Sequence, residues 1–235
     1  MGGALEMRDN RAMSNVDDPA PPIAARAYMP PVRVLTDFLA PAEADRLLDY
    51  ASANEGEFKP TLVGVGQQQR VVPTFRVSRA ARALGETGPL LDRKLRDIAP
   101  ELIAALRLSP FEVSQVELQL VAHGDGAFYR RHIDTQTMVD VTHLRVLSGV
   151  YYVHRTPKRF GGGALRLFAI GDAARFLDIE PAHNTLVVFP AWAPHEVLPV
   201  SCPSGDFMDS RFAVNCWLRK LHKSDGGDET ALGAL

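Results

Sequence analysis

Two cysteines in 235 residues, Cys202 and Cys216, are too few for a disulfide framework. No apolar run approaches the roughly 20 residues needed to span a bilayer, so no membrane segment is expected. The opening stretch, MGGALEMRDNRAMSNVDDPAPP, lacks the basic region and apolar core of a secretory signal. A formal net charge of −2 leaves no electrostatic reason to expect nucleic acid or an anionic membrane as partner. No internal repeat is apparent. These absences point to a cytoplasmic protein in a reducing setting, where free thiols persist.

What remains is ordinary in bulk. Apolar residues make up 46% and charged residues 23%, the balance of a globular protein whose length allows one large domain or two small ones. Residues 1–30 are rich in Ala, Pro, Gly, Asp and Asn and show no hydrophobic period, which predicts a disordered or arm-like leader. A single domain is expected over 31–222, and the polar, Gly-rich 223–235 reads as a flexible tail.

Helices are expected over about 41–108. Pro41 suits a first helical position, and Ala44, Leu47, Leu48 and Ala51 follow on one face. Leu91, Leu95, Ile98, Leu102 and Leu106 form a second stripe, which reads as core-facing; Pro100 leaves one kinked helix or two consecutive ones open. Between them, Glu55 to Pro73 has no stripe and several Gly and Gln residues. It reads as a mobile loop or hairpin, a candidate lid, followed by a strand near Thr74 to Val77.

After Ser109-Pro110 the pattern changes to short β-like runs: Phe111–Val121, Leu144–Val153, Ala164–Phe168, Leu186–Phe189 and Phe212–Leu218. Helices followed by many short strands predict an α+β, mainly β, fold. The expected core is a jelly-roll over about 111–220, flanked by the N-terminal helices.

Within this region lies GDGAFYRRHIDTQT, Gly124 to Thr137. Side chains two apart on a strand share a face, so His132 and Asp134 can converge on one point. Alone, His-x-Asp is more often a polar loop than a metal site. His195, after the apolar run TLVVFP and at what reads as a strand end, supplies a third ligand if two strands of one barrel bring it close. Two histidines and a carboxylate suit non-haem Fe(II). Further on, Arg211, Ala213, Asn215 and Trp217 share one strand face. Arg211 is either an exposed edge residue or an inward fork that pairs with a carboxylate.

The motifs GDGAFYRRHID, SGVYYV, FGGGALRLF, TLVVFP, HEVLPV and SRFAVNCW, in that order, resemble the prolyl 4-hydroxylase-type branch of the iron(II)/2-oxoglutarate-dependent dioxygenases. The resemblance implies a double-stranded β-helix core and covers roughly 111–220, the preceding helices more loosely. It makes His132, Asp134 and His195 the iron ligands and Arg211 the partner of the distal carboxylate of 2-oxoglutarate. Tyr152 matches a position that hydrogen-bonds that co-substrate, Tyr129 a cavity-lining tyrosine whose alternative is plain packing, and Trp217 an active-site wall. The implied reaction consumes 2-oxoglutarate and O₂, releases succinate and CO₂, and hydroxylates a small molecule, a peptide or a protein, a prolyl or other amino-acid residue among the options. Ascorbate is the expected auxiliary reductant. The oligomeric state stays open, a homodimer among the options.

Two departures accompany the resemblance. Ala122-His123 stands where relatives carry a tyrosine after the first strand, so His123 either replaces that hydrogen-bond donor or is a polar strand end. The stretch between His195 and Arg211 is longer than in the family. Glu117 and Gln119, on the face of His123, either reach the cavity to bind a polar substrate or face solvent. Since ligating histidines must be neutral, activity is expected to fall below their ordinary pKa of about 6.5. Alternatives of other classes are a His₂Asp zinc hydrolase and a catalytically silent binding module.

Overall fold

The structure, a computed structural model, describes residues 27–64, 69–135 and 142–222. The expected tail lies outside these, as does the expected leader apart from its last four residues. Strand β1 (Arg33–Leu35) precedes helix α1 (Pro41–Ala53), then come β2 (Lys59–Pro60), β3 (Arg76–Val77) and β4 (Arg79–Ala81). Helix α2 (Thr87–Ala105) leads into β5 (Gln115–His123), β6 (Phe128–His132), β7 (His143–Val153), β8 (Gly161–Gly162) and β9 (Leu165–Ala169). The chain continues through β10 (Asp172–Ile179), β11 (Thr185–Pro190), β12 (His195–Val197), β13 (Val200–Ser201) and β14 (Arg211–Leu221).

Both helices follow their sequence stripes. Pro41 opens α1, where its missing N–H costs nothing, and the Glu43 carboxylate reaches back to the Ala40 N–H at 2.9 Å. Ala44, Leu47 and Ala51 are buried on one side of α1, and Leu91, Leu95, Ala99 and Leu102 on one side of α2. Pro100 does not split α2. It sits on the exposed face, where water can satisfy the Arg96 carbonyl that loses its helix partner.

The strands form two main antiparallel sheets, one of order β1-β11-β7-β14-β5-β4-β2, the other β10-β9-β12-β6-β3. Alternation along the central strands of the large sheet divides their side chains. Tyr151, Val153, Phe212, Val214, Cys216, Leu186 and Val188 join the helices in one apolar cluster. Val150, Tyr152, Val187, Phe189 and Ala213 form a second cluster with Leu165 and Leu167 of the small sheet. The large sheet therefore lies between a helical layer and the small sheet, the jelly-roll arrangement expected from the sequence.

Asn184 fastens these layers. It holds a left-handed φ of 53°, which asparagine tolerates, just before β11. Its Oδ1 accepts from the Leu39 N–H and the Tyr151 hydroxyl, both at 2.9 Å, and its Nδ2 donates to the Leu39 carbonyl at 2.8 Å.

Some sequence boundaries shift. Strand β5 begins at Gln115 and not at Phe111. Strand β10 had no expected counterpart, because nearly all of it is exposed and no face alternates. His195 does not end the TLVVFP strand; the chain turns through Ala191–Pro194 and His195 opens β12 in the other sheet. Of the loop expected over 55–73, residues 65–68 lie outside the described part. Its flanks meet in an antiparallel bridge between Val63 and Arg70.

Candidate active site

The register of the small sheet assembles three of the expected residues. His195 of β12 pairs directly with His132 of β6, whereas Val197 pairs with Tyr129. Three residues of β12 (195–197) thus span four of β6 (129–132), a bulge that turns both Tyr129 and His132 toward the same cavity. Asp134, just past β6, is fixed by its backbone: the Asp134 and Thr135 N–H groups both donate to the Ala191 carbonyl, at 2.9 and 3.1 Å.

One ligand atom from each of His132, Asp134 and His195 can be chosen so that all lie within 4.8 Å of one another. His132 Nε2 is 3.7 Å from Asp134 Oδ1, and His195 Nε2 is 3.5 Å from Asp134 Oδ2. Each imidazole uses its other nitrogen on a backbone carbonyl: His132 Nδ1 on Arg130 at 2.8 Å, and His195 Nδ1 on Ala193 at 2.9 Å. Those carbonyls require the proton on Nδ1 and leave the Nε2 lone pairs aimed at the shared point. Burial, with the neighbouring His195, lowers the His132 pKa to about 3 against the opposing pull of Asp134. For His132 this downward shift favours the neutral ring that a metal requires. Burial would raise the Asp134 pKa, but the two histidines and hydrogen bonds from Trp217 and Ser148 bring it below its ordinary value. Two imidazole nitrogens and a carboxylate converging in this way fit a divalent first-row metal.

Ser148 is a site residue that sequence reading missed. It lies on β7 two residues from Val150 and four from Tyr152, the parity that points inward, and its hydroxyl donates to Asp134 Oδ2 at 2.7 Å. Ser148→Ala removes the group that orients this carboxylate. It is expected to weaken metal affinity about 10- to 100-fold, measured by competition with a chelating dye.

The triad opens onto a cavity of about 1110 Å³. Near it, Tyr129 is stacked on His132, centroids 3.6 Å apart and planes 21° apart, so it both lines the cavity and packs a ligand ring. Trp217 forms a wall, with the Arg145 guanidinium 3.7 Å from its ring centroid. Glu117, Gln119 and His123 also line the cavity; Glu117 is held by Arg145 through two hydrogen bonds of 2.6 and 3.0 Å. From the expected lid, Glu57, residues 59–64 and Gln69 contribute to the wall.

Arg211 lies deep in the same cavity and is 1% exposed. It is not an edge-strand arginine: β14 sits between β7 and β5, with Arg211 opposite His123 and Ala213 opposite Tyr152. Its Nη1 is 3.3 Å from His123 Nδ1, and its guanidinium carbon is 4.8 Å from the Tyr152 ring centroid. Burial, then the Arg211 and Arg76 charges, drive the His123 pKa well below its ordinary value, so the ring is neutral. With Nδ1 accepting from Arg211, the proton belongs on Nε2. Among the described residues four buried polar atoms here lack a hydrogen bond of good geometry, Arg211 Nε and Nη2, Tyr152 Oη and His123 Nε2, the Tyr152 hydroxyl and the Arg211 guanidinium interacting only with each other. All can donate, and burying them unpaired is costly, so the cluster fits a carboxylate.

The glycine run FGGGAL makes room for it. Gly163 has φ 71°, and a Cβ there would stand 2.6 Å from Arg211 Cδ and 2.9 Å from Val200 Cγ2. The long connection before Arg211 is anchored by a short helical turn, Phe207–Asp209, whose Phe207 ring packs edge-on against Phe58 and Phe212.

Comparison with known proteins places this arrangement. Residues 118–219 match the 2OG-Fe(II) oxygenase superfamily. A PKHD-type hydroxylase of Synechocystis, itself described as uncharacterized, is 34% identical over 195 residues, covering 79% of this chain and 62% of the relative. The chain thus spans about three-fifths of the curated relative it matches. Among solved structures, a prolyl-4-hydroxylase of Pseudomonas putida superposes with a TM-score of 0.56 at 25% identity, over 81% of this chain and 93% of that one. A prolyl hydroxylase of Trichoplax adhaerens, bound to a peptide of hypoxia inducible factor, has the same fold, with a TM-score of 0.56 at 20% identity over 79% and 82%.

Proposed function

We propose that the chain is a 2OG-Fe(II) oxygenase of the prolyl 4-hydroxylase-like branch, on its match to that superfamily over 118–219 and its likeness to a PKHD-type hydroxylase and a prolyl-4-hydroxylase, and that it hydroxylates an organic substrate at the cavity described above. The observation that carries this reading is the pairing of two features in one cavity: a His₂ plus carboxylate triad, and a buried cluster of donors around Arg211 that lack acceptors among the described residues. A zinc hydrolase would use the first and leave the second without a role.

In the proposed reaction His132, Asp134 and His195 hold Fe(II), and Arg211, Tyr152 and His123 hold the distal carboxylate of 2-oxoglutarate. Bound iron, with O₂ and 2-oxoglutarate, supplies the oxidative decarboxylation that yields succinate and CO₂ and the oxidising equivalent that hydroxylates the substrate. The chain's own part is orientation. Ser148 and Trp217 fix the Asp134 carboxylate, Arg130 and Ala193 fix the imidazole tautomers, and Arg211 sets the direction from which a dicarboxylate enters.

Ascorbate is proposed as the reductant that keeps the iron ferrous. The substrate is a peptide, a protein residue or a small molecule. A cytoplasmic location is proposed on the two free, buried cysteines; among the described residues no helix is long and apolar enough to cross a membrane. Purified protein given Fe(II), 2-oxoglutarate and O₂ is expected to release succinate slowly without added substrate, read by mass spectrometry. No succinate from protein with verified iron content would overturn the proposal.

A further inference from the structure

Six cationic side chains line the cavity, Lys59, Arg76, Arg82, Arg145, Arg211 and Arg219, against three carboxylates, Glu57, Glu117 and Asp134. Most of these charges have assigned partners or water. Arg145 and Arg219 both pair with Glu117, at 2.6 and 3.5 Å, and Lys59 and Arg82 are exposed. Asp134 belongs to the triad, and Arg211 to the co-substrate. Arg76 is left.

Arg76 lies on β3 and is 7% exposed. Its Nε donates to Ser78 Oγ at 3.0 Å, and that hydroxyl is 2.9 Å from Thr61 Oγ1, so the plane of the guanidinium is fixed from behind. Its carbon stands 4.5 Å from the Tyr129 ring centroid and the guanidinium also hydrogen-bonds the Tyr129 side chain, while among the described residues its Nη2 is buried without a hydrogen-bond partner. Burial lowers its pKa from the ordinary arginine value, with Tyr129 and Asp134 opposing. A guanidinium stays charged under such a shift. A fixed, buried cation with an unused donor costs free energy until an anion meets it.

Its position tells where that anion would lie. Arg76 is paired in register with Tyr129, its guanidinium carbon lies over the Tyr129 ring, and that ring is stacked on His132, so one aromatic ring separates the guanidinium from a candidate metal ligand. We propose that Arg76 binds a carboxylate of the substrate, and that this enzyme oxidises an amino acid or peptide whose free carboxylate, at the C-terminus or on an acidic side chain, lies a few bonds from the oxidised carbon. The excess of cations around the mouth favours the approach of such an anion. This substrate class rests on the proposed function of the same cavity, with Arg211 already occupied by 2-oxoglutarate.

The test uses the full chain loaded with Fe(II) under nitrogen, so that no turnover occurs. Binding of 2-oxoglutarate is measured first by calorimetry; its failure would strike the proposed function itself. With 2-oxoglutarate saturating, a panel of N-acetyl amino acids and the matching carboxamides is then titrated. At least one acid is expected to bind tenfold or more tightly than its amide. Arg76→Gln should erase that preference, Arg76→Lys should keep part of it, and both should leave 2-oxoglutarate affinity within about twofold. Amides binding as well as acids, an acid preference that survives Arg76→Gln, or no acid binding to the 2-oxoglutarate complex would each overturn the inference.

Discussion

The His195→Ala protein is expected to lose more than about 100-fold in affinity for Fe(II) and to release no succinate above background. Loss of an outer hydrogen bond such as that of Ser148 costs 10- to 100-fold, and loss of a direct ligand must exceed it. His195 is 4% exposed, and its Nδ1 is tied to the Ala193 carbonyl, which holds the ring with Nε2 toward Asp134. The fold should survive, because β12 is held by backbone pairing to β6 on one side and to β9 on the other. An unchanged far-ultraviolet circular dichroism spectrum with the metal gone identifies a ligand. Retained stoichiometric iron, by elemental analysis after anaerobic purification, would remove His195 from the metal site.

Much of this site was legible before the fold was known, because the chemistry demands particular residues in particular strands. His132 and Asp134 are two apart, His195 follows an apolar run, and Arg211 opens another. What the sequence could not supply was the register. His195 reads as the end of the TLVVFP strand, but β11 belongs to the large sheet and β12 to the small one, and the crossing at Ala191–Pro194 brings His195 opposite His132. Nor does spacing alone place Tyr129 beside His132, since residues three apart on a regular strand face opposite ways; the bulge decides it.

Residues whose roles come from tertiary pairing were the least visible. Ser148 matters because its hydroxyl meets Asp134, fourteen positions away in sequence, and Arg76 because burial leaves one nitrogen unused. Strand parity hinted at Ser148 through Val150 and Tyr152, whereas nothing around Arg76 distinguished it from a surface arginine. Strand β10 was invisible for a related reason. An edge strand exposed on both faces carries no alternation for the sequence to show.

Arg211 offers the second large effect, and here binding and stability should move in opposite directions. If its unpaired Nε and Nη2 meet a desolvated carboxylate, Arg211→Met should weaken 2-oxoglutarate binding by about 3–5 kcal/mol, roughly 150- to 4000-fold in Kd. In the unliganded protein the same arginine is a buried charge with no anionic partner among the described residues, held by one long contact to His123 and by Tyr152. Replacing it with an apolar chain of similar volume should leave the unliganded melting temperature unchanged or raise it. Arg211→Lys keeps the charge but loses the planar fork, so it should recover only part of the affinity. A purely structural arginine would behave in the reverse way, with a lower melting temperature and an unaltered Kd. Calorimetric titration of 2-oxoglutarate into the iron-loaded variants, beside thermal melts of the unliganded proteins, separates the two.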